Sequence, residues 1–119
     1  MNKSGKSSNG RLVTCLNVKD LHASIGFYAH LGFEHLDGEI EDGWAIINDG
    51  ENELHLFQGH ILMNTLNFRG GDVSAIAQGL KARGLTMSSE AMNEPDGSVG
   101  AWIRDPDGND IYFNTFPDE

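Results

Sequence analysis

The chain has 119 residues, about the length of one domain, and its hydrophobic content of 39% is enough for a packed core. The formal net charge of −10 argues against a nucleic-acid partner and against an anionic membrane surface, because both are themselves negatively charged. No apolar run approaches the roughly 18 residues that a membrane span needs, and no signal-peptide core is visible. The single cysteine, Cys15, excludes a disulfide framework, so we expect a reduced, cytoplasmic location.

The first half of the chain predicts a strand, a helix and three strands. Residues 1–10 are polar and rich in Ser, Gly and Lys, and we expect them to be disordered. Asp20 is a candidate N-cap for a helix over residues 20–31, whose apolar side chains recur at helical spacing, and Gly32 ends it. The predicted strands, which hydrophobic runs and Asp-Gly turns delimit, are Arg11–Val18, Phe33–Leu36, Trp44–Ile47 and Glu53–Phe57.

The second half repeats this order. Asp72 is the candidate cap of a helix over residues 72–83, and Gly84 ends it. Strands are predicted at Leu85–Ser88, Ser98–Arg104 and Asp110–Thr115, preceded by a first strand around Leu66. The turn Asp105-Pro-Asp-Gly joins the last two strands, since proline presets φ and glycine tolerates a positive φ.

An internal repeat of roughly 50 residues underlies this symmetry. Asp105-Pro-Asp-Gly-Asn-Asp-Ile-Tyr-Phe has a weaker echo in Asp49-Gly-Glu-Asn-Glu-Leu-His-Leu-Phe, and each copy follows a short apolar run. We therefore predict a single domain over residues 11–119 that contains two βαβββ modules, module one at about 11–58 and module two at about 62–116.

Three short segments of the chain also resemble motifs of a known family. Asn17-Val-Lys-Asp-Leu, Phe27-Tyr-Ala-His-Leu-Gly-Phe and Asp105-Pro-Asp-Gly-Asn are similar to motifs of the vicinal oxygen chelate superfamily, which contains glyoxalase I, bleomycin-resistance proteins and extradiol dioxygenases. The resemblance implies an α+β fold in which paired βαβββ modules form a cup-shaped curled sheet, with the ligand inside the cup. It also suggests a homodimer, as does the modest core of a short chain.

In metal-dependent members of that superfamily, four ligands come from the first and last strand of each module. The resemblance assigns these places to Val13, His55, Met63 and Tyr112. Valine cannot coordinate a cation, a thioether is a soft ligand, and a neutral phenol is a rare one, so one good ligand remains where about three are needed. We predict no bound metal and no cofactor.

The same registration defines a candidate ligand site. Strand alternation puts these side chains on inward faces, with apolar residues such as Leu16, Leu56, Leu66 and Phe113 turned towards the helices. The candidate ligand-binding residues are Val13, Cys15, Trp44, His55, Met63, Trp102 and Tyr112. His55 and Tyr112 are also the candidate catalytic pair, as a base and a hydrogen-bond donor. The alternatives are a hydrogen-bonded sheet histidine, a space-filling tyrosine, a core cysteine and a flexible wall methionine. Arg104 is a candidate carboxylate contact or surface ion pair.

Three functions remain open from the sequence. The first is a metal-free protein that binds a small planar or cationic molecule, as in the bleomycin-resistance branch. The second is a glyoxalase-like lyase or isomerase that uses His55 and Tyr112 or a relocated divalent metal. The third is a regulatory or structural module whose own side chains fill the cup.

Overall fold

The computed structural model describes residues 7–119, and within them two compact units are distinguished. The amino-terminal unit comprises residues 13–65, and the carboxyl-terminal unit comprises residues 66–119 together with residues 7–12. The segment predicted to be disordered falls mostly outside the described residues, since residues 1–6 are not described. The N–H of Gly10 donates to the carbonyl of Ser7 at 3.0 Å where the first strand begins.

The amino-terminal unit has one helix and four strands. These elements are β1 (Gly10–Asn17), α1 (Leu21–Ala29), β2 (Glu34–Asp37), a 3₁₀ turn (Ile40–Asp42), β3 (Trp44–Asn48) and β4 (Glu53–Phe57). The part of β1 that belongs to this unit begins at Val13. The strand order is β2-β3-β4-β1, with β1 parallel to β4 and the other pairs antiparallel.

The carboxyl-terminal unit repeats this order of elements. It contains β5 (Thr65–Gly70, the unit beginning at Leu66), α2 (Val73–Ala82), β6 (Ser89–Asn93), β7 (Val99–Arg104) and β8 (Asp110–Thr115). The strand order β5-β8-β7-β6 follows the same scheme, with β7 antiparallel to both neighbours. The predicted α+β class with two βαβββ modules is confirmed.

Matching caps begin the two helices. The Asp20 carboxylate accepts a hydrogen bond from the N–H of Ala23, and Asp72 accepts one from Ala75, each at 3.1 Å. Gly32 and Gly84 follow the helices with φ of 96° and 92°, where a side chain would be strained. The predicted caps and stops are confirmed, although α1 is three residues shorter and α2 two residues shorter than predicted.

Each helix packs on one face of its own sheet. In the amino-terminal unit, Leu21 is fully buried with the side chains Ala45, Ile47 and Leu56. In the carboxyl-terminal unit, the corresponding cluster is Val73, Ala77, Ala101, Ile103 and Phe113. Leu66, expected to pack under a helix, is instead 38% exposed, because it lies at the start of β5 outside the buried cluster.

One strand prediction is wrong. Leu85–Ser88 does not form a strand, and β6 begins at Ser89. Leu85 is half-exposed, and the link from this segment to β7 is the N–H of Ser88, which donates to the carbonyl of Trp102 at 2.9 Å. The true strand, Ser-Glu-Ala-Met-Asn, has weak strand propensity and is held by its pairing with β7.

The two aspartate turns have equivalent hydrogen bonds. The N–H of Asp49 donates to the carbonyl of Asn52, and that of Asp105 donates to Asn109. In both turns the asparagine amide donates back to the aspartate carboxylate, at 3.1 and 2.9 Å. The repeat seen in the sequence is therefore a repeat of local structure.

Among the described residues, no helix is long and apolar enough to cross a membrane.

Candidate functional site

In each unit, the sheet face turned away from the helix carries the chemically active side chains. In the amino-terminal unit, one row across this face is Cys15, His55 and Ile46, which are Cα partners on β1, β4 and β3. The neighbouring row contains Trp44 opposite Phe57. Val13 and Cys15 are buried, as expected for an inward face. The structure therefore brings Val13, Cys15, Trp44 and His55 onto one face.

His55 forms a close pair with a carboxylate on its own strand. Its Nε2 lies 2.7 Å from Oε2 of Glu53, and the imidazole is buried while Glu53 is partly exposed. Residues i and i+2 of a strand share a face, so strand alternation itself aligns the two side chains. Sequence reasoning missed Glu53, although the Glu-x-His spacing on a predicted strand was a usable signal. A carboxylate in this position orients the imidazole ring.

Met63 has a different position from the predicted one. It lies in a bend before β5, which begins at Thr65, so it does not alternate with Thr65 and Asn67 on a strand. The hydroxyl of Thr65 donates to the carbonyl of Met63 at 3.0 Å, and the adjacent Asn64 side chain accepts from the N–H of Asn17 at 2.9 Å. These side-chain bonds hold the segment in a bend that no periodic pattern encodes.

In the carboxyl-terminal unit, the helix-free face carries an aromatic platform formed by Trp102 and Tyr112. The two residues are Cα partners on β7 and β8, and their rings stack with centroids 4.1 Å apart at 23°. Gly100, two residues before Trp102, lies beneath the Tyr112 ring, and a Cβ atom there would collide with the hydroxyl oxygen. A glycine at this position is what lets the tyrosine lie flat along the sheet.

The surroundings of the platform are negative. Burial, and then the charges of Glu94 and Asp96, raise the pKa of the Tyr112 phenol above its ordinary value. The hydroxyl and N–H of Ser98 donate to Asp96 at 2.6 and 2.9 Å and lower the pKa of that carboxyl group. At neutral pH, Tyr112 is therefore a neutral hydrogen-bond donor near an ionised carboxylate.

A buried amide pair adjoins the platform. The Asn67 side-chain amide donates to Oδ1 of Asn114 at 2.8 Å and to the main-chain carbonyl of Tyr112 at 3.1 Å. Both asparagines are 7% exposed, and they tie β5 to β8 through side chains as well as backbone. Because buried amides cost free energy unless they are bonded, this pair fixes the backbone of Tyr112 in place.

The residues at the metal-ligand positions do not fit a divalent ion. Val13, Met63 and Tyr112 leave His55 as the one strong ligand, and Glu53 already contacts its Nε2. Within residues 7–119, no group of three or more His, Cys, Asp or Glu side chains is arranged to hold a metal ion.

Seven side chains were predicted to bind ligand, and the two units divide them. Val13, Cys15, Trp44, His55 and Met63 belong to the amino-terminal unit, and Trp102 and Tyr112 to the carboxyl-terminal unit. Arg104 lies outside the platform and forms an ion pair with Asp110, in which Nε lies 2.9 Å from Oδ1. This is the ion-pair role, one of the two roles predicted for Arg104.

Comparisons with known proteins agree with this fold. The chain resembles the structure of an NAD-dependent benzaldehyde dehydrogenase from Legionella pneumophila, with 14% identity over 89% of this chain and 99% of that one and a TM-score of 0.74. A glyoxalase/bleomycin resistance protein/dioxygenase superfamily member from Vibrio splendidus 12B01 gives 18% identity, coverages of 88% and 97%, and a TM-score of 0.69. A hypothetical protein from Bacillus halodurans C-125 gives 14% identity, coverages of 90% and 94%, and a TM-score of 0.65.

At these identities the likeness concerns the fold alone, and comparison with curated protein sequences gives no match. A family profile is more specific, because it matches residues 11–113 and so spans both βαβββ units. The chain belongs to the Glyoxalase/Bleomycin resistance protein/Dioxygenase superfamily.

Proposed function

We propose that this protein binds a small planar molecule that carries positive charge, without a divalent metal. The observation that carries the proposal is the aromatic platform of Trp102 and Tyr112 beside the carboxylates of Glu94 and Asp96. A planar cation would stack on the indole, gain cation–π attraction, and be attracted to the acidic side of the platform.

The electrostatics of the whole chain favour the same class of ligand. A net charge of −10 attracts cations and repels anions before any contact forms. The neutral Tyr112 phenol supplies one directional donor, which a carbonyl or ether oxygen of the ligand would accept. Pockets for small molecules generally combine such aromatic walls with a few placed polar groups.

The experiment is a calorimetric titration with two ligands of equal shape and different charge. N-methylacridinium is the cationic probe, and acridine at pH 7.5 is its neutral counterpart. We expect the cation to bind more tightly, and Trp102→Leu to weaken its binding about 5- to 30-fold, since cation–π contact with indole contributes about 1–2 kcal/mol. Asp96→Asn should reduce the preference for the cation while leaving acridine binding unchanged.

Phe27→Leu is the matched control, because it removes an aromatic ring that is 62% exposed on α1 in the amino-terminal unit. It should bind both probes like the parent. Equal affinity for the two probes, together with full binding by the Trp102→Leu variant, would contradict the proposal.

The resemblance also assigns a ligand contact to His55 in the amino-terminal unit and to Tyr112 in the carboxyl-terminal unit, and we propose each as a binding residue within its own unit. Tyr112→Phe should weaken binding of the cationic probe and change the thermal midpoint little, because it removes only the phenol hydroxyl. The metal-free state is tested by elemental mass spectrometry after mild purification. About one zinc, nickel, manganese or iron per chain that disappears in His55→Ala would overturn it.

The pairing of Glu53 with His55 favours a second candidate function, a glyoxalase-like lyase or isomerase. An imidazole oriented by a carboxylate is suited to accept a proton from a carbon next to a carbonyl group. The test is exchange of that proton for deuterium in a hemithioacetal of glutathione and a 2-oxoaldehyde, followed by proton NMR. Exchange that His55→Ala abolishes and Glu53→Gln slows would support the enzyme. Exchange at the uncatalysed rate would contradict the enzymatic function, and the binding function would then be the remaining proposal.

A further inference from the structure

The carboxyl-terminal unit contains a cavity whose lining residues do not include Trp102 or Tyr112. Its volume is about 540 Å³, and it is lined by Ser7, Gly10, Arg11, Arg69, Gly70 and Glu119. This volume falls in the range of roughly 300–1,000 Å³ that is typical of small-molecule sites. None of the residues predicted from the sequence to bind ligand is among those that line it.

The charge of this cavity is opposite to that of the chain. The whole sequence has 8 Lys and Arg against 18 Asp and Glu, yet two arginine side chains and one glutamate side chain line this cavity. Arg11 and Arg69 therefore create a local positive site on an acidic protein. A small anion is the ligand that such a site attracts and that the remainder of the surface repels.

The Arg69 guanidinium is held in place but incompletely bonded. Its Cζ lies 5.0 Å from the centroid of the Phe116 ring, which fixes the plane of the group. Its Nη2 reaches Oε1 of Glu119 at 3.4 Å, a long contact, and the same oxygen accepts the N–H of Phe116 at 2.9 Å. The Nε atom is buried and has no hydrogen-bond partner among the described residues.

An unbonded, buried donor on a charged group is costly, so a partner is expected at Nε. The edge of a guanidinium that carries Nε and one Nη presents two parallel donors, which match the two oxygens of a carboxylate or phosphate. Gly10 lies against the main-chain carbonyl of Arg69, where a Cβ would collide with it, so this wall is built from backbone.

We propose that the cavity lined by Arg11 and Arg69 binds the oxyanion group of a small molecule, with Arg69 as the bidentate contact. Arg11 adds positive charge, and Glu119 competes with the anion for Nη2. This site is separate from the one under the proposed function, and the failure of one proposal does not affect the other.

The experiment follows the Nε–H resonance of arginine in ¹H–¹⁵N NMR spectra while succinate or inorganic phosphate is added. Chloride at equal ionic strength is the reference. We expect one saturable shift of the Arg69 resonance per chain. Arg69→Ala, followed through the Arg11 resonance, should weaken binding about tenfold or more, and Arg11→Ala several-fold, as the loss of hydrogen bonds to charged groups implies. Tighter binding of succinate identifies a carboxylate ligand, and tighter binding of phosphate identifies a phosphate ligand.

Two further variants sharpen the test. Glu119→Gln should tighten anion binding, because it removes the competing charge while an amide oxygen can still accept from Phe116. Arg104→Ala is the matched control, since it makes the same change in charge at an arginine paired with Asp110 and should bind within twofold of the parent. If Arg69→Ala does not fold, the other two variants still test the proposal, because Arg11→Ala should weaken anion binding and Glu119→Gln should tighten it. The proposal is overturned if neither anion gives a saturable shift, or if the cavity variants bind like the control.

Discussion

Gly100→Ala tests whether the geometry of the aromatic platform is as described. The added Cβ would lie 2.8 Å from both Cε1 and Cζ of Tyr112 and closer still to the hydroxyl oxygen. Because the backbone of Gly100, the second residue of β7, is paired with Asn114, the tyrosine ring must move. We expect it to leave its stack on Trp102.

The magnitude follows from three contributions. Forcing the Tyr112 side chain off its rotamer costs about 0.5–1.5 kcal/mol, and losing the aromatic stack costs about 0.5–1.5 kcal/mol. Replacing glycine by alanine inside a strand returns about 0.5–1 kcal/mol. The net loss in the free energy of unfolding is therefore about 0.5–2 kcal/mol, or roughly 2–10 °C in the thermal midpoint for a chain of this size.

The assay is thermal unfolding together with near-ultraviolet circular dichroism, in a Trp44→Phe background so that Trp102 is the one indole that reports. Gly26→Ala is the control, because Gly26 lies inside α1 with no atom within 4 Å of the added Cβ, and it should stabilise the protein slightly. In a Tyr112→Ala background, Gly100→Ala should no longer destabilise. A Gly100→Ala protein with the parent's midpoint and aromatic spectrum would refute the reasoning.

Three other predictions concern the fold. The carboxylates of Asp49 and Asp105 accept turn hydrogen bonds, chiefly from Asn52 and Asn109, and these bonds lower the pKa of both aspartates. The ionised carboxylates therefore stabilise the fold above the unfolded-state pKa of about 4, and this stabilisation is lost as the pH falls through their lower pKa in the folded protein. A thermal midpoint that falls less steeply from pH 5 to pH 2 in the Asp49→Asn/Asp105→Asn protein than in the parent would confirm this. Asp20→Ala and Asp72→Ala should each lower the free energy of unfolding by about 0.5–2 kcal/mol in urea titrations, and equality with the parent would count against the caps. We also expect a homodimer, and light scattering of a stable monomer at tens of micromolar would contradict it.

Much of the fold could be predicted because local chemistry determines it. Asp20 and Asp72 begin helices, Gly32 and Gly84 end them, and each of these positions is readable from neighbouring residues. The segment after α2 was mispredicted for the opposite reason. The strand Ser89–Asn93 is held by its pairing with β7 rather than by its own apolar pattern, and a distant partner does not appear in a local window.

The candidate site was predictable only where strand alternation applies. It correctly grouped Cys15 with Val13 and placed Trp102 away from the helix, because both follow a period of two. It failed for Met63, whose bend depends on side-chain hydrogen bonds of Thr65 and Asn64. Gly100 was missed as well, since the need for a glycine arises from the Tyr112 ring on the neighbouring strand.

The two units show how a repeated fold can carry different chemistry. The paired strands β3–β4 and β7–β8 have equivalent registers, in which Glu53 lies opposite Asn48 and Asp110 lies opposite Arg104. Asp110 is consequently bound across the strands by a guanidinium, whereas Glu53 contacts His55 two residues along its own strand.

The same comparison separates the aromatic positions. Ile46 opposes His55 where Trp102 opposes Tyr112, so an imidazole lies beside an aliphatic side chain in one unit and a phenol stacks on an indole in the other. The buried faces of both sheets keep the same apolar pattern under the helices, because each must exclude water in the same way. The opposite faces are free of that requirement. Differences at His55, Glu53, Trp102 and Tyr112 are therefore the ones from which the function of this chain must be established, whereas the fold follows from what the two units share.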